Sequence, residues 1–228
     1  MASTSDRYVM HFGVRVDKTR SFAKISRENY TQVSTRYSLG LVGYAKELID
    51  SGDAELITPD TEKPTIVYTD SFCHKLTIRA LENFDINMER FAALNEAEFL
   101  ITLDNYVKKH HFKQITDLKN EEFGNTYNRG VDGYIYIMVL GQYKQVYIGI
   151  TRSALSARIK QHWHRRKPLD RLVFGSPETS RISIDSFGPL DTTMIFAKPY
   201  KGKKAFGLEA LESRFIRAFD QRFVLNRL

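Results

Sequence analysis

The chain has 228 residues, of which 42% are hydrophobic and 27% are charged, and its net charge is +7. This length and composition are typical of a soluble globular protein with one large domain or two small ones. The longest apolar run, residues 134–140, is too short to cross a bilayer, and the first residues lack the pattern of a signal peptide. A single cysteine excludes an internal disulfide and a cysteine-based zinc site. We therefore expect a cytoplasmic protein with no membrane partner.

The positive charge is concentrated in the C-terminal part of the chain. From Tyr127 onward there are 18 lysine and arginine residues against 8 aspartate and glutamate residues, whereas the first 126 residues carry 16 against 19. A basic half beside a nearly neutral half indicates a polyanionic partner, most often nucleic acid, that contacts mainly the C-terminal half. A basic surface that serves only solubility is the alternative that charge alone leaves open.

The pattern of apolar residues predicts a mixed α/β arrangement in the N-terminal region. Strands are predicted at residues 8–16 and 65–69, and helices at 39–51, 72–83 and 97–110. The first helix should end at Gly52, because glycine suits a helix C-cap. The segment 120–132 is polar and rich in turn residues, so we place a domain boundary within it. This boundary gives an N-terminal region of residues 1–125 and a C-terminal domain of residues 126–228.

The C-terminal domain is predicted to be α+β, with a small three-stranded antiparallel sheet flanked by helices. Its predicted elements are strands at 134–140 and 144–150, a helix at 154–166, a strand at 192–197 and a helix at 208–222. Ser153 is a suitable N-cap for the first of these helices. Leu155, Ile159 and Trp163 recur at helical spacing and form its apolar stripe.

The first two strands of this domain form a predicted hairpin that is rich in tyrosine. A two-residue turn at Gly141 and Gln142, with glycine first as in a type II′ turn, would pair Tyr136 with Tyr147. Directly opposed residues share one face of a sheet, so the isoleucines and valines between the tyrosines face the other way and can pack a core. From the hairpin alone, a stabilising aromatic pair is the favoured interpretation.

The predicted helix after the hairpin carries a cationic pair. Arg158 and His162 are four residues apart and lie beside the apolar stripe, and Arg165 and Arg166 follow one turn later. A guanidinium group and an imidazole in this arrangement can hold a phosphate between them. A solvated basic face is the alternative, which helical geometry does not exclude.

The last predicted helix carries a carboxylate on its apolar side. Its apolar arc is formed by Leu208, Leu211, Phe215, Ile216 and Phe219. At about 100° per residue, Glu212 falls inside this arc, whereas Glu209 lies at its edge. An unpaired carboxylate among apolar side chains is costly, so Glu212 should have a partner. That partner is either a metal ion or a cation such as an arginine of the preceding helix.

Together these residues resemble the GIY-YIG nuclease superfamily. The two name-giving elements match Tyr134-Ile135-Tyr136 and Tyr147-Ile148-Gly149, although a tyrosine stands at the usual position of the first glycine. Arg158 and His162 match the arginine and histidine of the family's first helix. Glu212 and Asn226 match its metal-binding glutamate and its terminal asparagine. The resemblance covers residues 133–226, and the matching residues follow in the family's order and spacing.

The resemblance implies a compact α+β domain of the GIY-YIG type that hydrolyses phosphodiester bonds of DNA. It also implies one divalent metal ion per active site, Mg²⁺ or Mn²⁺. Glu212 would bind this ion, and water molecules would fill the remaining coordination positions, as magnesium prefers. The ion would stabilise charge on the phosphate and on the leaving 3′ oxygen.

The resemblance further implies roles for the other matching residues. Tyr136 would deprotonate or orient the attacking water, and Arg158 would clamp the scissile phosphate. His162 and Tyr147 would assist by hydrogen bonds or proton relay, and Asn226 would act as a positioning residue. A tyrosine is a poor base at neutral pH unless neighbouring cations lower its pKa.

Double-stranded DNA is the partner that the resemblance favours. The residues expected to contact it are Gly149, Arg152, Lys160, Arg165, Arg166 and Lys167. A single active site cuts one strand in each binding event, so a double-strand break requires a homodimer or two successive nicks. The N-terminal region could recognise DNA, mediate dimerisation or bind a protein partner.

Several kinds of nuclease share this domain. A chain of this size with an additional N-terminal region is most similar to restriction-type or phage and mobile-element endonucleases. A structure-specific repair or resolving nuclease is an alternative. A non-catalytic nucleic-acid-binding module that keeps the fold is another, although binding alone does not require a carboxylate that faces a phosphate. An RNA hydrolase is a further alternative, since nothing in the sequence distinguishes the two sugars.

Overall fold

The computed structural model describes residues 7–20, 39–40, 45–57, 65–165, 167, 169–201 and 206–226. Within these residues the protein has a mixed α/β structure in which helices cover several small antiparallel sheets. The strands are β1 (Tyr8–His11), β2 (Val14–Asp17), β3 (Leu39–Gly40), β4 (Ala54–Ile57), β5 (Thr65–Tyr68), β6 (Lys113–Gln114), β7 (Gly133–Leu140), β8 (Gln145–Thr151), β9 (Val173–Phe174), β10 (Arg181–Ile182) and β11 (Met194–Tyr200). The helices are α1 (Ala45–Asp50), α2 (Asp70–Ala92), α3 (Glu96–Lys109), α4 (Thr126–Arg129), α5 (Leu155–His164), α6 (Leu169–Leu172) and α7 (Phe206–Ala218).

The central sheet is antiparallel and has the strand order β6-β11-β7-β8. β7 is buried along its whole length, because it has neighbours on both sides and helices on both faces. Three of the four strands coincide with those predicted for the C-terminal domain. The fourth, β6, comes from the predicted N-terminal region and pairs with β11. The predicted three-stranded sheet is thus extended by one short strand.

Alternate residues of β7 face two hydrophobic clusters on opposite sides of the sheet. Tyr136 and Met138 belong to the cluster that includes residues of α2 and α5. Ile135 and Ile137 belong to the cluster that includes residues of α3 and α7. The predicted alternation is confirmed, because the isoleucines pack away from the tyrosines. Burial of this kind contributes roughly 1.5–3 kcal/mol for each large apolar side chain.

Both clusters contain residues from both sides of the predicted domain boundary. The β1–β2 hairpin also lies against the C-terminal part: the Phe12 ring stacks on Trp163, and His11 Nε2 lies 2.8 Å from the carbonyl oxygen of Thr192. Packing is thus continuous across positions 125 and 126, and the division of the chain into two domains there stays a prediction. No helix in the described ranges is both long enough and apolar enough to span a membrane.

The turn of the β7–β8 hairpin differs from the predicted two-residue turn. Gly141–Tyr143 form a 3-10 turn and Lys144 adopts a left-handed conformation with φ of 51°, so four residues connect Leu140 to Gln145. Glycine is needed at 141 for a packing reason, because a Cβ there would lie 2.8 Å from Oγ1 of Thr193. The four-residue connection stands in place of the two-residue type II′ turn from which the register was predicted.

The register of the two tyrosines is consequently shifted by two residues. Tyr136 pairs with Gly149, and Tyr147 pairs with Met138, so the predicted direct pairing of the tyrosines is wrong. A shift of two residues keeps each side chain on the same face of the sheet. The tyrosines are therefore diagonal neighbours, and their ring centroids lie 6.1 Å apart.

Turn geometry also changes the predicted elements of the N-terminal region. The strand predicted at 8–16 is the β1–β2 hairpin, because Phe12 and Gly13 both adopt positive φ, 47° and 70°, as a type I′ turn requires. The helix predicted at 39–51 is shorter: residues 39–40 form β3, residues 41–44 lie outside the described ranges, and α1 begins at Ala45. Its C-cap at Gly52 is confirmed, with φ of 73°. The strand at 65–69 and the helix at 97–110 are confirmed within a residue, and the helix predicted at 72–83 continues to Ala92.

The helix after the hairpin begins without the predicted cap. The N-cap of α5 is Ala154, which has no capping side chain, and Ser153 instead places its hydroxyl 2.9 Å from Oγ1 of Thr151. The apolar stripe is confirmed: its three residues are each at most 2% exposed. α5 is thus held by packing rather than by a cap, which fixes the direction of the polar side chains beside the stripe.

Candidate active site

The outer edge of β8 bridges Val224 at Val146 and presents the main-chain groups of Ile148 to Asn226, one of the predicted site residues. The Asn226 side chain accepts a hydrogen bond from the N–H of Ile148 at 2.8 Å and donates one to the carbonyl oxygen of the same residue at 2.6 Å. The backbone of Ile150 lies near the carboxylate of Glu212 and opposes the rise of its pKa. The Asn226 side chain therefore occupies the place that another strand would take beside Ile148.

Glu212 lies in the half-buried position that its place in the apolar arc predicts. Leu208, Phe215 and Phe219 of the same arc are buried, whereas Glu212 is partly exposed. Burial raises the pKa of the Glu212 carboxyl, and the positive charge of Arg158 partly opposes this shift. None of the ion pairs found among the described residues involves Glu212, so the alternative of a structural ion pair within 4.0 Å is not observed there.

Arg158 and His162 of α5 converge on the hydroxyl group of Tyr136. Arg158 Nε donates to this hydroxyl at 3.2 Å, and the hydroxyl lies 2.9 Å from Nε2 of His162. The four-residue spacing on α5 places both side chains on one face, and the buried stripe sets that face against the sheet. Tyr136 is completely enclosed, and burial raises the pKa of its phenol well above the usual range. A buried tyrosine with two such partners is a candidate for proton transfer as well as for packing.

Tyr147 is the tyrosine that reaches the open side of this arrangement. It is partly exposed, and its ring meets the His162 ring edge to face with centroids 5.1 Å apart. Burial raises the pKa of its phenol, and the charge of Arg158 partly opposes the shift. A solute that enters from outside thus meets Tyr147 first, with Tyr136 behind it.

Gly149 provides the space that the two tyrosines occupy. A Cβ atom at this position would lie 2.5 Å from the hydroxyl oxygen of Tyr136 and 2.8 Å from Cε1 of Tyr147. Real Cβ atoms do not approach other atoms so closely, so only glycine allows both rings to cross the strand. Gly149 is buried under these rings, which is a supporting position rather than the DNA contact that was predicted.

We expect Gly149→Ala to displace one of the two tyrosines. Overpacking of this kind costs about 1–3 kcal/mol, which corresponds to a fall in melting temperature of roughly 2–12 °C for a chain of this size. Thermal unfolding followed by circular dichroism measures the change. An unchanged melting temperature would show that the strand relaxes easily and that the close packing is not required.

Seven of the predicted site residues line one cleft with a volume of about 720 Å³. From the predicted set the structure brings together Tyr147, Arg158, His162, Arg165, Lys167, Glu212 and Asn226, with Tyr136 directly behind them. No family model, curated protein or solved structure matches this chain. The resemblance described above therefore depends on the residues and their geometry alone.

Of the other predicted DNA contacts, Arg152 and Lys160 do not line this cleft. Arg152 is exposed and pairs with Glu209, with Nη2 and Oε1 2.9 Å apart, so an acidic neighbour offsets its charge. Lys160 is exposed on α5 but does not line the cleft. Arg166 lies outside the described residues. Lys167 does line the cleft, but its Nζ forms an ion pair with Asp185 at 2.6 Å.

Three charged residues of the cleft were not predicted from the sequence. Arg171 and Arg217 add positive charge to its wall, and Asp185 lies at its base. The charge excess of the C-terminal half is the signal that could have indicated the arginines. Asp185 gives no such signal, because it lies in a short 3-10 turn at no fixed spacing from the helices. Its place beside His162 depends on the tertiary fold.

The cleft can hold an anion and has one carboxylate suited to a cation. No group of three His, Cys, Asp or Glu side chains within the described ranges is arranged to hold a metal ion. A hard cation such as Mg²⁺ keeps several waters and is often bound through one or two carboxylates. A magnesium site therefore does not require a group of three protein ligands. Glu212 fits that pattern, because its carboxylate is partly desolvated, has no ion-pair partner among the described residues and faces the cleft.

Proposed function

We propose that the protein is a metal-dependent endonuclease that hydrolyses phosphodiester bonds of DNA in this cleft. The observation that carries the proposal is the convergence of an arginine, a tyrosine–histidine pair and a half-buried carboxylate on one basic cleft. These are the groups that cleavage of a phosphodiester needs: a phosphate clamp, a proton acceptor and a ligand for a divalent ion. A purely structural network would not require the carboxylate to stay unpaired.

Glu212 is the residue that would hold Mg²⁺ or Mn²⁺, one ion per site. When bound, the ion would stabilise negative charge on the phosphate and on the leaving 3′ oxygen. The raised pKa of Glu212 supports this role, because a desolvated carboxylate gains more from a cation than a hydrated one does. Asn226 bonds both main-chain groups of Ile148 and would hold the β8 edge in place beside the carboxylate.

Arg158 and the two tyrosines would act on the phosphate and the attacking water. Arg158 can reach the phosphate with its Nη2 group while its Nε remains bonded to Tyr136 and its Nη1 to Gln161. Because Tyr147 faces the cleft and Tyr136 is enclosed, we assign Tyr147 to the contact with the water and Tyr136 to the proton path toward His162. This assignment exchanges the roles that the resemblance implies for the two tyrosines.

Hydrolysis exchanges the bond between phosphorus and the 3′ oxygen for a bond to the oxygen of water. The oxygen of the attacking water forms a bond to phosphorus, and the bond between phosphorus and the 3′ oxygen breaks. The water proton passes through the tyrosine hydroxyls to Nε2 of His162, and from there to solvent, while the leaving 3′ oxygen takes a proton from solvent. The products carry a 5′ phosphate and a 3′ hydroxyl group.

A direct comparison of cleavage on several nucleic acids identifies the substrate class. A sequence-specific enzyme of the restriction or phage and mobile-element type is our first proposal, and a structure-specific nuclease or a binding module that has lost catalysis is the alternative. Plasmid, linear duplex, branched DNA and RNA are incubated with the purified protein and Mg²⁺. Discrete fragments of duplex DNA support the first proposal, cuts confined to branched DNA support the second, and binding without cuts supports the module. Accumulation of nicked plasmid before linear plasmid would indicate successive nicks rather than a homodimer.

The arginines of the cleft wall are expected to bind DNA without taking part in the chemistry. Replacing Arg171 or Arg217 by alanine should weaken DNA binding and reduce the slope of log K against log salt by about 0.9 for each phosphate that is no longer neutralised. The turnover rate at saturating DNA should change little. Arg181→Ala is the matched control, because Arg181 is exposed in the same part of the chain but does not line the cleft. Equal effects of Arg171→Ala and Arg181→Ala would contradict the assignment of the cleft as the DNA site.

A further inference from the structure

Asp185 is a buried carboxylate at the base of the cleft, and the resemblance assigns it no role. It lies in a 3-10 turn that follows β10 and is 3% exposed. Its Oδ1 lies 2.6 Å from Nδ1 of His162, and its Oδ2 lies 2.6 Å from Nζ of Lys167. Each oxygen of the carboxylate thus faces a different nitrogen.

The hydrogen-bond partners of His162 determine which nitrogen carries the proton of its neutral imidazole. Arg158 can only donate, so the hydroxyl oxygen of Tyr136 accepts from Nε of Arg158. The same hydroxyl can donate to Nε2 of His162 or accept from it, and the ionised Asp185, which lies 2.6 Å from Nδ1 and can only accept, decides between the two. The proton of the neutral imidazole therefore resides on Nδ1, where an ionised Asp185 accepts it.

We propose that Asp185 is a positioning residue that holds His162 in the Nδ1–H tautomer and so leaves Nε2 free to accept the proton of Tyr136. In this relay one proton moves from the Tyr136 hydroxyl to Nε2, and Asp185 stays ionised beside the resulting imidazolium ion. The effect of Asp185 on the cleavage rate rests on the proposed nuclease function. The tautomer itself does not, because it follows from contacts within the protein.

The charges around Asp185 and His162 agree with this arrangement. Burial alone would raise the pKa of Asp185, but the hydrogen bonds from His162 and Lys167 outweigh it and lower the pKa to about 2. Burial lowers the pKa of His162, and the charges of Arg158 and Lys167 add to this effect, while Asp185 opposes it. A neutral imidazole beside an ionised carboxylate is thus the favoured state at neutral pH.

Lys167 determines how an asparagine at position 185 would orient its side-chain amide. Lysine can only donate hydrogen bonds, so the carbonyl oxygen of an asparagine at 185 would face Nζ of Lys167. The amide NH₂ group would then face Nδ1 of His162 and would require it to accept. The proton of the neutral imidazole would move to Nε2, which could no longer take a proton from Tyr136.

The test is nitrogen NMR of histidine side chains in protein labelled with ¹⁵N-histidine, without DNA. In the wild-type chain at neutral pH, the His162 signals, assigned with His162→Gln, should show a protonated Nδ1 and an unprotonated Nε2. Asp185→Asn should reverse the two, and it should lower the turnover rate by roughly 10²- to 10⁴-fold with little change in KM. An Nε2–H tautomer in the wild type, or the same tautomer in both proteins, would overturn the proposal.

Asp191→Asn is the matched control. Asp191 is 1% exposed and accepts hydrogen bonds from Tyr143 and from the N–H of Gly188, but it does not line the cleft. Its replacement should lower thermal stability and leave both the His162 tautomer and the turnover rate unchanged. A tautomer that reverses in this control would mean that any buried aspartate of the region affects His162, which would also overturn the proposal. Absent DNA cleavage with the expected wild-type tautomer would count against the nuclease function alone.

Discussion

Glu212→Gln is expected to lower metal-dependent DNA cleavage by at least about 10³-fold, because a bound divalent ion contributes several kcal/mol of transition-state stabilisation. The amide keeps the size of the side chain but removes the charge that would hold the ion. Cleavage rates under single-turnover conditions with saturating Mg²⁺ measure the effect. The same variant should bind DNA nearly as well as the wild type in the absence of the ion, since the wall arginines are unchanged.

The stability of this variant should move in the opposite direction from its activity. Because burial raises the pKa of Glu212, its ionised form is less favourable in the folded than in the unfolded chain, and its charge lowers stability at neutral pH without a cation. We therefore expect a melting temperature equal to or above that of the wild type in EDTA. Added Mg²⁺ should raise the melting temperature of the wild type but not of the variant.

Glu209→Gln is the control for both measurements. Glu209 lies on the same helix, is exposed and pairs with Arg152 outside the cleft. This variant should keep its cleavage rate and its response to Mg²⁺. Full activity of Glu212→Gln, or a loss of the metal response in Glu209→Gln, would contradict the assignment of Glu212 as the metal ligand.

Arg158→Ala is expected to have the second largest effect, a fall in turnover rate of roughly 10²- to 10³-fold, which is typical of the loss of one charged donor in a preorganised site. The substitution removes the proposed phosphate clamp and also the donor to the buried Tyr136 hydroxyl. Arg158→Lys should rescue little of the rate, because an ammonium group cannot bond the tyrosine and the phosphate with the same planar geometry.

Arg165→Ala separates binding from chemistry. Arg165 is exposed, one turn beyond His162, and lines the same cleft. Its loss should weaken DNA binding while the turnover rate at saturating DNA stays within a few fold. Equal losses of turnover in Arg158→Ala and Arg165→Ala would mean that the cleft contributes only general positive charge.

The sequence predicted elements with long regular patterns well. β7, β8, α3 and α5 lie where periodicity places them, and the side of Glu212 follows from the helical angle alone. The hairpin register was wrong because turn type depends on a tertiary contact, the packing of Gly141 against Thr193. The face of each tyrosine survived this error, since a strand shifted by two residues keeps its alternation.

The site itself was only partly predictable. Tyr136, Arg158 and His162 could be grouped because helix and strand spacing restrict where their side chains point. Asp185 could not, because nothing local connects a 3-10 turn to a histidine 23 residues earlier. The same applies to Lys167, whose charge suggested a DNA contact before the fold placed it on Asp185. Short irregular segments have no periodicity, so their contacts become visible only in the folded chain.

The central claim is that this cleft hydrolyses DNA with one divalent ion. The most direct measurement is single-turnover cleavage of a supercoiled plasmid by the wild-type chain in Mg²⁺ and in EDTA, with analysis of the product ends. We predict cleavage in Mg²⁺ only, with 5′ phosphate and 3′ hydroxyl ends, and its loss in Glu212→Gln. Cleavage that persists in EDTA, or an intact plasmid together with intact branched DNA in Mg²⁺, would contradict the account.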